Sequence, residues 1–269
     1  MASKPSYSLT VFSTNKITPH MQRVVLHGED LADFPEHSES GYIKLLFSFE
    51  GKALTSEAEV AQQGNQILMR TYTVRAFDAK AKQLTVDFVL HPPANPNEPT
   101  GPASAWAESA QVGDQIVIAG PGATKLVNLS ADWFFLAGDI TALPAISCNL
   151  EFMPADAQGY AVIEIPDISD KQSIQHPAGV EIIWVVQDKA NSDTNTLFST
   201  IEALPWLAGK PFVWAACEFD SMRMLRKFFK QTRGVERGDI YISSYWKRGR
   251  TEDQHKIDKR KDAEELENK

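Results

Sequence analysis

The chain is poor in the groups from which disulfide scaffolds and metal centres are built. It has only two cysteines, Cys148 and Cys217, in 269 residues. Two such cysteines make no disulfide framework, and there is no C-x-x-C pair or clustered histidine pair to suggest a metal site. An iron–sulfur cluster held by four thiolates is excluded by count. Long apolar runs are also missing, since none approaches the ~20 residues that span a bilayer. The segment Met1-Ala2-Ser3-Lys4-Pro5-Ser6-Tyr7 has no continuous apolar stretch of the secretory kind. The expectation is a soluble, cytoplasmic protein without membrane association. A basic excess is absent too: 35 acidic residues face 27 basic ones, for a net charge of −8. That argues against nucleic acid as a partner, while leaving room for a local basic pocket. The G-x-G-x-x-G fingerprint is absent, as is any catalytic triad.

What is present is enough apolar residue, 43% of the chain, for a real core, and enough length for two ordinary domains. The first 127 residues read as β-rich. Short alternating runs at Ser8–Ser13, Met21–Gly28, Tyr42–Phe49, Gln66–Arg75, Gln83–Leu90 and Gln115–Ala119 predict six antiparallel strands. Closing them into a small barrel removes exposed edges. Residues 50–65 read as a loop. Residues 92–102, with five prolines and a glycine, also read as a loop. Ser104 reads as the N-cap of a helix over Ala105–Ala110.

The period then changes. Strands at Trp133–Ala137, Tyr160–Ile165, Glu181–Val186, Pro211–Ala216 and Asp239–Tyr245 alternate with helices at Ala142–Phe152, Asn195–Ala203 and Ser221–Thr232. Such alternation predicts a parallel sheet flanked by helices. The fold class expected is therefore two-domain α+β: an N-terminal six-stranded antiparallel β-barrel over 1–127 and a C-terminal α/β domain with a parallel sheet over 128–250. A charged tail over 251–269 is either a solvated helix with i,i+4 pairs or disordered.

The segment Arg70-Thr71-Tyr72-Thr73-Val74-Arg75 carries the most chemistry. Alternation puts Arg70, Tyr72 and Val74 on one face of a strand and Thr71, Thr73 and Arg75 on the other. A planar aromatic beside a fixed cation suits a flavin, whose ring stacks on Tyr72 while its diphosphate meets Arg70. The competing reading is a polar strand with surface arginines. A helix start at Ser104, with its free N–H groups, suits the same diphosphate.

In order along the chain, this segment joins Gly41-Tyr42-Ile43-Lys44-Leu45-Leu46-Phe47, Phe88-Val89-Leu90-His91 and Gly101-Pro102-Ala103-Ser104-Ala105-Trp106-Ala107. Gly113-Asp114, Gly120-Pro121, Ala137-Gly138-Asp139-Ile140-Thr141-Ala142-Leu143-Pro144-Ala145-Ile146 and Tyr245-Trp246-Lys247-Arg248-Gly249 follow. Together, over roughly residues 5 to 250, they resemble the siderophore-interacting proteins, a branch of the ferredoxin-reductase-like flavoproteins that reduce ferric siderophores. The resemblance implies FAD held by Arg70, Tyr72, Thr73, Val74, Arg75, Asp87, Val89, His91, Ala103, Ser104 and Trp106. It implies a nicotinamide nucleotide, NADH or NADPH, at Gly138, Asp139, Thr141, Ala142 and Glu218, with Tyr245 and Trp246 near the flavin face. It implies a basic pocket for an anionic ferric siderophore from Lys44, Lys125, Lys247 and Arg248.

No side chain is expected to act as a catalytic acid or base, and no protein metal site is expected, because the flavin carries the chemistry. Two positions depart from the family pattern: Ile140 stands where an acidic residue is usual, and Cys217-Glu218 where Gly-Glu is frequent. Acidic residues after the second parallel strand, from Glu164 to Asp170, favour a ribose hydroxyl over a 2′-phosphate, hence NADH over NADPH. A ferredoxin as donor stays open. So do two other functions: a related flavin reductase with another acceptor, and a siderophore-binding carrier without redox activity.

Overall fold

The structure, a computed structural model, describes residues 5–91, 100–188 and 195–267. It divides into two compact units. The first runs to Leu126 and takes in 147–149 and 169–173; the second holds Val127–Ile146, Leu150–Ile168 and the chain from Ile174 onward.

The first unit is an antiparallel sheet of seven strands: β1 (Ser6–Thr18), β2 (Met21–His27), β3 (Tyr42–Phe47), β4 (Leu68–Thr73), β5 (Ala76–Asp78), β6 (Gln83–Val89) and β7 (Gln115–Ala119). Their order is β4-β3-β7-β1-β2-β6-β5. The strand beyond the expected six is β5, three residues that pair with β6 directly after the Arg70–Arg75 motif. Three residues are too few to show an alternation, so β5 leaves no periodic signature. The sheet curls around a core that includes Leu9, Val24, Ile43, Leu45, Val86, Phe88 and Ile118.

Within residues 50–65, read as loop, the chain forms helix α1 (Glu57–Gln63). Ser56 caps it by accepting from the Glu59 amide at 3.3 Å, and the Glu59 carboxylate reaches back to the Thr55 amide at 2.8 Å. Such reciprocal capping starts a short helix that its polar composition had hidden.

Helix α2 (Pro102–Ser109) begins earlier than expected, with Gly101 as N-cap and Pro102 in the first turn. Proline is pre-set for that position, so it opens the helix here rather than ending the loop. Ser104 is therefore not the cap. It lies buried inside the first turn. The proline-rich run at 92–99 lies outside the described residues.

The second unit is a five-stranded parallel sheet: β8 (Trp133–Asp139), β9 (Gln158–Ile165), β10 (Gly179–Val186), β11 (Pro211–Glu218) and β12 (Ile240–Trp246), in the order β10-β9-β8-β11-β12. Helix α3 (Leu143–Phe152) follows β8, α4 (Thr196–Ala203) precedes β11, and α5 (Phe219–Lys227) follows β11. On one face Trp133, Phe135, Val162, Val213 and Ala215 meet Leu197, Ile201, Met222, Leu225 and Phe229. Rings dominate: Phe135 stacks on Trp206 at 6.1 Å, and Trp133 meets Trp206 edge-on at 4.8 Å. Burying each such side chain contributes roughly 1.5–3 kcal/mol, against ~0–1 kcal/mol for an exposed ion pair. The rings fix this sheet, which leaves its strand ends free to carry polar groups.

Helix α5 also starts earlier than expected, because Glu218 caps it by accepting from the Asp220 amide at 2.6 Å. It then passes into a π turn at Phe228–Thr232. The tail is helical, as α6 (Glu252–Glu267). No helix among the described residues is long and apolar enough to cross a membrane.

Candidate functional site

On β4, the residues alternate as the sequence predicts. Leu68 and Tyr72 pack against the first core, while Met69 and Thr71 are exposed. Tyr72 lies 4.4 Å from the Phe88 ring, and Phe88 lies 5.6 Å from Trp106 on α2. Three aromatic rings thus bring β4, β6 and α2 together. Arg70 shares the Tyr72 face by alternation, and its guanidinium donates to the Met69 carbonyl at 3.0 Å. At the start of α2 the Ser104 hydroxyl accepts from the His91 amide at 3.4 Å. A Cβ on Gly101 would lie 3.8 Å from the His91 ring, in ordinary van der Waals contact. Ala103 and Val74 are buried, and Val89 is part-buried at the end of β6.

Asp87 and Arg75 form a different cluster. The buried Asp87 carboxylate accepts two bonds from Arg23, at 2.7 and 2.8 Å, and the Arg75 guanidinium stands 4.0 Å away. Arg23 faces Asp87 in the β2–β6 register. Its role escaped sequence reasoning because the two are 64 residues apart.

Lys44 sits on the other face of the β3–β4 pair. Lys44 is the register partner of Thr71, and its ammonium donates to the Thr71 hydroxyl. It also lies 5.8 Å over the Tyr42 ring. Lys44, Tyr42, Thr71 and Thr73 therefore share the face opposite Arg70 and Tyr72. A Cβ on Gly122 would fall 2.0 Å from the Tyr42 ring, so only glycine lets the turn after β7 lie flat on that tyrosine. Lys125 follows this turn, and its carbonyl accepts from the Ser40 hydroxyl at 3.1 Å.

In the second unit the predicted residues meet at the carboxyl ends of β8, β11 and β12. Asp139 closes β8 and is buried. Its carboxylate accepts from the Thr141 amide at 2.9 Å, the Thr141 hydroxyl, the Glu218 amide at 2.9 Å and the Trp246 indole at 2.7 Å. Burial pushes this carboxyl above the ordinary range, and those hydrogen bonds oppose it. Glu164 pairs with Asp139 in the β8–β9 register and accepts from the Thr196 hydroxyl at 2.7 Å. Burial pushes Glu164 up, opposed by that bond and reinforced by the Asp139 charge. Cys217 is buried in the core, and burial, with the Asp139, Glu218 and Glu164 charges, raises its thiol well above its usual value. It is a packing residue.

Glu218 has both oxygens engaged. One caps α5, and the other accepts from the Arg248 amide at 3.1 Å. Tyr245 lies 6.4 Å from Trp214 on the opposite sheet face from Trp246. Gly138 answers a packing need: its missing Cβ would fall 2.6 Å from the Ala216 carbonyl and 2.7 Å from Ala142. The Lys247 ammonium lies 4.3 Å over the Phe219 ring and 3.1 Å from Asp258 on α6. Asp258 also meets Arg250 at 3.2 Å. It lies in the tail that charge pattern alone left undefined. Among the described residues no group of three or more His, Cys, Asp or Glu is placed to hold a metal ion.

Residues 10–125 match the siderophore-interacting FAD-binding domain, and residues 131–249 match the siderophore-interacting protein domain. The chain is 36% identical over 246 residues to the ferric vibriobactin reductase ViuB of Vibrio cholerae, covering 88% of each. It is 27% identical to the NADPH-dependent ferric-chelate reductase of Escherichia coli, over 88% of this chain and 91% of that one. The crystal structure of the siderophore-interacting protein SipS from Aeromonas hydrophila superposes with a TM-score of 0.80 at 31% identity, covering 94% and 98% of the two chains. This chain belongs to the siderophore-interacting protein family.

Proposed function

We propose that this protein is an FAD-dependent ferric-siderophore reductase that draws electrons from NADH or NADPH. The observation that carries the reading is the grouping of Tyr72 and Arg70 on one β4 face, with Phe88, Trp106 and the start of α2 reached through the same aromatic row. Those residues fit FAD: a ring for the isoalloxazine, a guanidinium for the diphosphate, and a helix start with His91 and Ser104 beside it. The chemistry that FAD would supply at these residues is two-electron acceptance from a nicotinamide and one-electron donation to Fe(III), whose reduced form hard oxygen ligands hold less tightly.

The chain's own residues bind and orient. Arg70 and the α2 amides hold negative charge. Thr73, with Val74 and Arg75, lines the end of β4, and Arg75 is steadied by Asp87. Gly138, Thr141, Ala142 and Glu218 shape the nucleotide turn. Lys44, Lys125, Lys247 and Arg248 supply positive charge for an anionic ferric siderophore. The named activities of the V. cholerae and E. coli relatives support the reading. Free, buried cysteines suit a cytoplasmic location.

A second donor is favoured by one observation. Three carboxylates, Asp139, Glu164 and Glu218, crowd the strand ends, a setting that opposes a nucleotide diphosphate and leaves a ferredoxin as the alternative donor.

Anaerobic visible spectroscopy tests all of this. The purified protein is expected to show a flavin band, bleached by NADH or NADPH and restored by a ferric siderophore. A flavin that neither nucleotide bleaches shifts the donor to a ferredoxin. A protein without flavin overturns the reading.

A further inference from the structure

At the amino end of the parallel sheet, a cavity of about 460 Å³ opens beside Trp206, Lys210, Arg233, Val235, Glu236 and Asp239. Lys210 stands just before β11, and Asp239 just before β12. The eight residues of β11 separate this cavity from Glu218, roughly 25 Å at ~3.3 Å per residue. Its volume lies within the range of small-molecule pockets. Its rim is tied to the start of β8. The Lys210 amide donates to the Asp132 carboxylate at 2.6 Å, and the Trp133 indole donates to the Gly209 carbonyl at 3.4 Å.

Arg233 is the unusual member of the lining. It follows the π turn Phe228–Thr232, and its amide donates to the Phe228 carbonyl at 3.0 Å. Such turns are rare and frequently mark functional sites. This one sets the guanidinium 5.1 Å over the Trp206 ring and 5.0 Å over the Phe228 ring. The rings orient the cation but leave its in-plane N–H groups in need of acceptors. The buried Nε has no hydrogen-bond partner among the described residues. An unpaired buried donor is uncommon in a folded protein and calls for an acceptor. The buried carboxylate of the pocket, Asp239, is already engaged by the Lys210 ammonium at 2.8 Å. Glu236 stands exposed at the rim.

We propose that this cavity is a second binding site, which takes a monocarboxylate with an apolar body and holds its carboxylate on the Arg233 guanidinium. A guanidinium fork matches a carboxylate in bidentate geometry. One cation without a carboxylate partner suits a single negative charge. The Glu236 carboxylate opposes the second charge of a phosphate. Trp206, Pro211 and Val235 supply apolar surface for the body. The inference stands apart from the choice of electron donor, because the nucleotide turn lies at the other end of β11.

The test is equilibrium binding of isotope-labelled benzoate to the purified full chain at neutral pH, with benzamide and inorganic phosphate as competitors. Saturable binding of one benzoate per chain is expected. Benzamide, which lacks the charge, and phosphate are each expected to compete at least about tenfold more weakly, the scale of one charged hydrogen-bonding contact. Arg233→Met keeps a long apolar stem against both rings and is expected to weaken benzoate binding more than about tenfold. Arg233→Lys keeps the charge without the fork and is expected to weaken it about tenfold. Circular dichroism melts check the fold of each variant, and should Arg233→Met fail to fold, Arg233→Lys decides. Absence of saturable benzoate binding overturns the proposal. So does benzoate binding that the folded Arg233 variants leave unchanged, since it then belongs elsewhere on the chain. Phosphate competing as well as benzoate itself overturns the assignment to a monocarboxylate.

Discussion

In the antiparallel sheet, Arg70 and Tyr72 share a face because they are two residues apart on one strand. In the parallel sheet, Asp139, Glu218 and Trp246 meet because three strands end at one level. The first arrangement is local: moving a side chain to the other face needs only a one-residue slip. The second is collective. It depends on strand order, register and the buried partners of one carboxylate. Faces built by alternation present side chains outward to a ligand. Strand ends that converge consume much of their own hydrogen-bonding capacity, and Asp139 and Glu218 show this directly.

Substitutions at the two regions should break this comparison in different ways. The largest effect is expected at the local site. Arg70→Ala is expected to weaken FAD binding by about a hundredfold, through loss of a charge-assisted contact, with the fold intact. Flavin content after gel filtration, with a circular dichroism melt as control, measures it. A fully flavinated Arg70→Ala protein would detach the motif from the cofactor.

At the convergent site the expected loss is of stability instead. Gly138→Ala places a methyl 2.6 Å from the Ala216 carbonyl, and forced backbone shifts of this kind cost about 1–3 kcal/mol. A lowered denaturant midpoint with FAD retained is the expected result. An unchanged midpoint would mean that β8 and β11 yield easily.

Lys44→Ala and Lys247→Ala sharpen the comparison further. Each is expected to raise the KM for ferric siderophore about three- to fivefold, the scale of one exposed charge, with flavin content unchanged. Lys247 is expected to show the smaller change, because Asp258 already engages its charge. If both variants match the wild type, the basic-pocket reading is wrong.

The smallest effect is expected at Glu164, whose carboxyl is raised chiefly by burial. A raised carboxyl costs stability once ionised. The wild type therefore loses stability as pH rises from the ordinary carboxylate range through the higher folded value. Glu164→Gln removes that cost while its amide oxygen still accepts from Thr196. It is expected to exceed the wild type by about 1 kcal/mol or less above neutral pH, with the difference gone in acid. Paired chemical denaturation at acid and neutral pH reads it. A deficit for Glu164→Gln at neutral pH would show that the charge itself stabilises α4.

Much of the fold was legible because period decides it. Alternation gave six of the seven strands of the first sheet, and the switch to strand–helix alternation gave the parallel sheet. The missing strand, β5, is three residues long, and α1 is a polar helix declared only by Ser56 and Glu59. Helix starts shifted where a cap competes. Pro102 took the first turn that Ser104 was expected to cap, and Glu218 began α5 ahead of Ser221. At the candidate site, the Arg70–Arg75 motif was readable as a face. The partners of its neighbours were not: Arg23 is far from Asp87 in sequence, and Asp258 lies in a tail whose charge pattern fitted helix or disorder equally.

The sequence by itself determined the family, the class of the two sheets and the side of β4 on which an aromatic meets a cation. These depend on local period and on ordered motifs. Only the tertiary structure decided which polar groups are already occupied. Asp139 reads in the sequence as a ligand-facing acid after a glycine, and in the fold it is a buried acceptor for three separate segments. Lys44 reads in the sequence as a cation of the siderophore pocket, and in the fold its register sets it beside Thr71, on the face opposite Arg70 and Tyr72. Both outcomes follow from pairing between distant segments, which sets burial and hydrogen-bond partners and leaves no trace in the spacing of residues along the chain.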